Sequence, residues 1–77
     1  MLTKRKIKKF CIHAIGIFLV NANEDIQVER SKGTYIINIK NKRAPDHIIQ
    51  RTWQRHSEGT EFEQVYLNIC SSGIYYC

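Results

Sequence analysis

A chain of 77 residues has room for one small domain at most. Its 12 basic and 7 acidic residues give a formal net charge of +5. However, Lys4, Arg5, Lys6, Lys8 and Lys9 hold five of the cations, and the rest of the chain is neutral. No later Lys/Arg cluster is interleaved with aromatics, so the charge excess does not read as a nucleic-acid footprint.

Behind the basic block runs Phe10 to Val20, FCIHAIGIFLV, in which His13 is the one polar residue. A charged segment followed by a short apolar one is the pattern of an export signal. As a helix this stretch rises about 16 Å, roughly half a hydrocarbon core, which is too short for a stable span. Val20-Asn21-Ala22 puts small side chains where signal peptidase reads them. The reading therefore expects cleavage between Ala22 and Asn23, a signal peptide over residues 1–22, and a secreted or periplasmic product. Cys11 lies too deep in the apolar run to be a lipidation site, and it leaves with His13. An uncleaved membrane anchor and a buried core helix are the other readings of this segment, and it is the chain's one route to a membrane.

On the export reading residues 23–77 form a small α+β region. About a dozen large apolar side chains there contribute roughly 2 kcal/mol each when buried, against roughly 1.5 kcal/mol per ordered residue. A disulfide, a partner or further sequence is needed to hold such a chain.

Asn23 to Arg30 alternates Ile26 and Val28 with Gln27 and Glu29, the period of a strand. Ser31-Lys32-Gly33-Thr34 is a turn cluster, and Tyr35, Ile37 and Ile39 resume the alternation to Asn41, which makes a β-hairpin. Pro45 ends the strand and suits a first helical turn, with Asp46 favouring the positive end of the dipole. Ile48, Ile49, Thr52 and Trp53 then share one face of a short amphipathic helix over residues 45–55.

Strand, turn, strand, Ala44-Pro45 and a helix carrying Ile48-Ile49 together resemble the opening of START-like helix-grip proteins, the polyketide cyclase and coenzyme Q-binding superfamily. The likeness runs from Ile26 through Gly33, Tyr35 and Ile37 to Trp53 and ends there. It implies an N-terminal piece, residues 26–53, of an incomplete helix-grip-like sheet, as a truncated or frame-shifted gene product would give. It also implies an apolar or lipid-like ligand held between sheet and helix by Ile37, Ile39, Ile48, Ile49 and Trp53.

Ser57 to Thr60 reads as a loop and Glu61 to Cys70 as a strand, with Val65, Leu67 and Ile69 on one face. Ser71-Ser72-Gly73 is a turn and Ile74 to Cys77 a short last strand, so the fold closes on a C-terminal β-hairpin. With Gly73-Ile74 as its loop, Cys70 faces Cys77 and a disulfide is geometrically possible. With Ser72-Gly73 as the loop, both thiols stay unpaired.

His47, His56, Cys70 and Cys77 have spacings that match no usual metal-ligand pair. Glu58, Glu61 and Glu63 lack a nucleophile with an assigned base. The reading therefore expects no enzyme, no catalytic residue, no metal, no cofactor and no nucleic-acid partner. It leaves three functions: a shortened START-like module for an apolar ligand, a secreted interaction protein stapled by Cys70 and Cys77, and a small membrane-anchored protein.

Overall fold

The computed structural model describes residues 1–69. Helix α1 spans Lys4–Ile15 and is capped by Thr3, whose hydroxyl accepts from the Lys6 amide at 3.1 Å. Ile7, Cys11, Ala14 and Ile15 are its buried residues, one stripe at the i, i+4, i+7, i+8 spacing of an amphipathic helix. The stripe begins inside the basic block, and the cations cover the remaining faces. The chain leaves α1 through a 3-10 turn at Gly16–Phe18 and an extended Leu19, which bridges to Lys42. At Gly16 a Cβ would stand 3.3 Å from the Ile12 side chain and 3.5 Å from Ala22, so glycine lets the next helical turn approach.

The segment expected to be a signal is thus divided. Part of it is a helix whose stripe packs in the core, while Ile17 and Val20 are exposed. Among the described residues no helix is long and apolar enough to cross a membrane. The scissile bond expected between Ala22 and Asn23 lies within a single helical turn, α2, Ala22–Asp25.

Asp25 is a buried carboxyl that ties this turn to the sheet. One oxygen accepts from the Asn21 amide at 2.7 Å and the other from the Asn41 side chain at 2.8 Å. Its carbonyl accepts from the Lys40 amide at 3.0 Å. Strand β1, Ile26–Ser31, therefore begins later than the alternation alone suggests, because residues 22–25 are helical.

β1 and β2, Thr34–Ile39, form the expected hairpin in antiparallel register, with Ser31 opposite Thr34 and Ile26 opposite Ile39. Lys32 and Gly33 both take positive φ, at 52° and 80°. Two such residues in a two-residue loop match the right-handed twist of the flanking strands.

Helix α3 spans Asp46–Ser57, two residues beyond the expected end. Ile49, Trp53 and Ser57 are its buried stripe. Buried Ser57 spends its hydroxyl on the Trp53 carbonyl at 2.8 Å, so it costs no unpaired polar group.

The last described element departs from expectation. Glu61 to Gln64 are turn rather than strand, and within the described residues β3 covers Tyr66–Ile69. It pairs with β2 in parallel, Ile37 beside Leu67 and Ile39 beside Ile69. A parallel neighbour requires a crossover, and α3 supplies it. Among the described residues the sheet is consequently mixed, in the order β1-β2-β3. The proposed terminal strand and the Cys70–Cys77 pairing lie outside the described residues.

One hydrophobic cluster joins these parts. Ile7, Cys11, Ala14, Ile15 and Leu19 from the N-terminal segment pack with Ile26, Ile37, Ile39 and Leu67 from the sheet, Ile49 and Trp53 from α3, and Phe62 and Val65 from the loop before β3. The fold is α+β, and its first helix is part of its core.

Candidate functional site

A groove of about 450 Å³ opens between α3 and the entry to β3. Trp53, Val65 and Leu67 give it an apolar floor. Gln50 and Gln54 line one side, Glu58 and Glu63 the end, and Tyr66 the other side. The floor residues are at most 8% exposed, whereas Tyr66 is 60% exposed, so the groove has fixed walls and one free aromatic rim.

Local structure explains each placement. Trp53 follows Ile49 by one turn of α3 and therefore points inward. Its ring is held from behind by Phe10 of α1, which meets it edge-on with centroids 5.4 Å apart. Gly59 takes φ +80° and its amide donates to Glu63 Oε1 at 2.9 Å, which fixes that carboxyl at the groove's end. Val65 and Leu67 are buried against the core, whereas Tyr66 between them is exposed where it lines the groove.

Of the five residues expected to hold a ligand, Trp53 reaches the groove. Ile37, Ile39 and Ile49 have no exposed surface, and they fill the core instead of lining a cavity. Ile48 is half-buried on α3 and does not line the groove. Val65, Tyr66 and Leu67 were not among the expected ligand contacts. Their alternation was visible, but the crossover that carries them beside α3 was not.

The remaining chemistry is sparse. His47 and His56 stand at opposite ends of α3, about 13 Å apart along its axis at the usual helical rise. His56 Nδ1 lies 2.9 Å from the Thr52 carbonyl, and its ring meets His13 edge-on with centroids 6.4 Å apart. Among the described residues no group of three His, Cys, Asp or Glu side chains comes together to hold a metal. Cys11 is fully buried, and desolvation of its thiolate pushes its pKa up to about 12, so it is a packing residue and not a nucleophile at neutral pH.

The arrangement can bind. Its floor is apolar and largely buried, and its rim combines amides that donate or accept with carboxylates that accept. Compared with protein families, curated proteins and solved structures, the chain matches none significantly.

Proposed function

We propose that this chain is a small binding module that seats a flat apolar or aromatic group, such as a ring or a short lipid-like tail, in the groove against Trp53. The observation that carries the reading is the state of Trp53. Its ring meets Phe10 edge-on and, though only 6% exposed, lines the groove beside Val65 and Leu67. A rigid, pre-formed apolar surface with a few polar groups at its rim is the usual make-up of a small-ligand site. The START-like likeness of residues 26–53 points to the same ligand class, with Trp53 as the one residue common to both arguments.

The module includes its first helix. Support for retention of residues 1–22 comes from Ile7, Cys11, Ile15 and Leu19, whose apolar surface the remaining chain covers. An exported form cut after Ala22 would lose those contacts together with Phe10, the support of Trp53.

Trp53 is the chain's one tryptophan, so it reports on the groove directly. Titration of the full chain with a neutral apolar fluorophore, N-phenyl-naphthylamine, is expected to give saturable energy transfer from Trp53. Exposed Tyr66→Ala is expected to weaken it about threefold or more, the loss of one aromatic contact. Transfer that never saturates, or that Tyr66→Ala leaves unchanged, removes the groove as the site.

A further inference from the structure

The distribution of charge over the fold is uneven, and its unevenness has a location. Lys4, Arg5, Lys6, Lys8 and Lys9 lie in the first half of α1, and Arg30 and Lys32 lie at the end of the β1-β2 hairpin. These two regions are neighbours. The Tyr35 hydroxyl donates to the Leu2 carbonyl at 3.4 Å, and the Arg30 guanidinium sits 5.5 Å from the centre of the Tyr35 ring. Against these cations stand Glu29, on the opposite face of β1 by strand alternation, and Glu61, which takes Lys6 at 3.1 Å. Elsewhere Lys40, Lys42, Arg43, Arg51 and Arg55 are matched in number by Glu24, Asp25, Asp46, Glu58 and Glu63. The net charge of +5 therefore equals that of the seven cations on α1 and the hairpin tip less the Glu29 and Glu61 carboxylates.

The arrangement is maintained against cost. The first turn of α1 contains no acidic residue, and its cations sit at the positive end of the helix dipole, an unfavourable placement. Among the described residues Lys4, Arg5, Lys8, Lys9 and Lys32 have no carboxylate partner. An anionic surface that met them would relieve both repulsions at once.

We propose that this end of the molecule docks on the phosphate backbone of double-stranded nucleic acid, at a site separate from the Trp53 groove. The cations are carried by a packed helix and a tight hairpin, so their spacing is fixed before binding, as suits a rigid ladder of charges. A single strand would call for exposed aromatic platforms among the cations, and Tyr35 is half-buried with its hydroxyl committed. A membrane would call for apolar side chains between them. Ile17 and Val20 are exposed, but at the other end of α1, roughly 18 Å along the axis, and Met1 alone is exposed beside the cations.

The test uses the full chain and a labelled duplex of roughly 20 base pairs, with anisotropy read across a salt series. About four phosphates neutralised give an expected slope of log affinity against log salt near −3.6. Lys4→Glu/Lys32→Glu is expected to cut affinity at least about tenfold and to flatten the slope by about two. The charge-matched control Arg51→Glu/Arg55→Glu changes affinity no more than about twofold, since neither residue is at that end. If charge reversal disturbs the hairpin, Lys4→Gln/Lys32→Gln reads the same flattening at smaller amplitude. Absence of duplex binding, equal losses in both double variants, or binding to phosphatidylserine vesicles in preference to the duplex overturns the proposal. N-phenyl-naphthylamine transfer from Trp53 is read in the same samples, so failure of either site is seen independently of the other.

Discussion

The ring of Phe10 stacks on that of Phe62, with centroids 4.1 Å apart and planes inclined by only 10°. One belongs to the first helix and the other to the loop that introduces the last described strand, so the contact ties the beginning of the chain to residues near its other end. Stacked aromatic pairs contribute about 0.5–1.5 kcal/mol beyond the area they bury.

A protein reduced to residues 23–77 is therefore expected to lose cooperative folding, since α1 and Leu19 supply five members of the buried cluster. Urea titration followed by Trp53 fluorescence checks this: the full chain should show a sigmoidal transition, and the shortened one a featureless drift. Within the full chain Ile15→Ala should cost about 2–5 kcal/mol, the range for emptying a fully buried site. An unchanged midpoint in either case would separate α1 from the core.

Asn38 and Asn68 form a second long-range link, with the Asn68 amide donating to Asn38 Oδ1 at 2.8 Å across the parallel pair β2-β3. Asn38 is buried, so Asn68→Ala leaves its oxygen without this donor. A loss of about 1–3 kcal/mol is expected. Asn38→Ala/Asn68→Ala should cost less than the two single changes together, because it leaves no half of the pair behind. A double-mutant cycle from equilibrium unfolding reads the difference, and strict additivity would mean that the contact carries no coupling.

Cys11 makes a chemical prediction. Its thiol pKa is raised from 9.0 to about 12 by burial, so the folded state holds its proton in a range where the unfolded chain gives it up. The stability contributed by that difference is fully present below pH 9.0 and is lost as pH rises towards about 12. Over that interval the full chain should lose stability more steeply than Cys11→Ala, by up to about 4 kcal/mol for three pKa steps. At neutral pH a maleimide should leave Cys11 unmodified until denaturant is added. Mapping the labelled cysteine by mass spectrometry distinguishes it from Cys70 and Cys77, and prompt native labelling of Cys11 would contradict its burial.

Asp25→Ala removes the acceptor shared by the Asn21 amide and the Asn41 side chain. Asn41 holds φ at 48°, a conformation that asparagine tolerates better than most residues. With its side-chain partner gone, the turn after β2 should loosen, at an expected cost of about 1–3 kcal/mol. Hydrogen exchange should quicken at the Lys40 and Val20 amides, which bond across this junction. Unaltered exchange at both would show that the backbone alone secures it.

These elements were legible in the sequence to different degrees, and locality decides which. The hairpin was visible because alternation and a Gly-bearing turn act within a few residues, and α3 because Pro45 and an apolar stripe mark one helix. β3 had the right face, but its pairing with β2 went unread. That Leu67 pairs beside Ile37 depends on a contact across 30 residues, which no local period encodes. Among the ligand residues, the pattern told which isoleucines face inward but not whether the interior is hollow or filled. That is a matter of volume, and α1 settles it by occupying the space. The first helix was hardest, because a basic flank and an apolar run look alike in a leader and in an amphipathic helix. Ile7 extends the buried stripe back among the lysines, into the block that reads as a leader's charged flank.

The parallel pairing of β3 sets a clock for the nascent chain. β2 gains its second neighbour only after Ile69 has been made, and at roughly 5–20 residues per second the interval from Ile15 to Ile69 is about 3–10 s. For most of that delay Ile7, Cys11 and Ile15 have no Trp53, Phe62 or Leu67 to cover them, since these are among the last of the buried cluster to be made. The N-terminal helix therefore spends its first seconds as a bare basic-then-apolar segment, open to any targeting factor or chaperone that reads such segments, and becomes an interior helix only after the residues through Ile69 have been made.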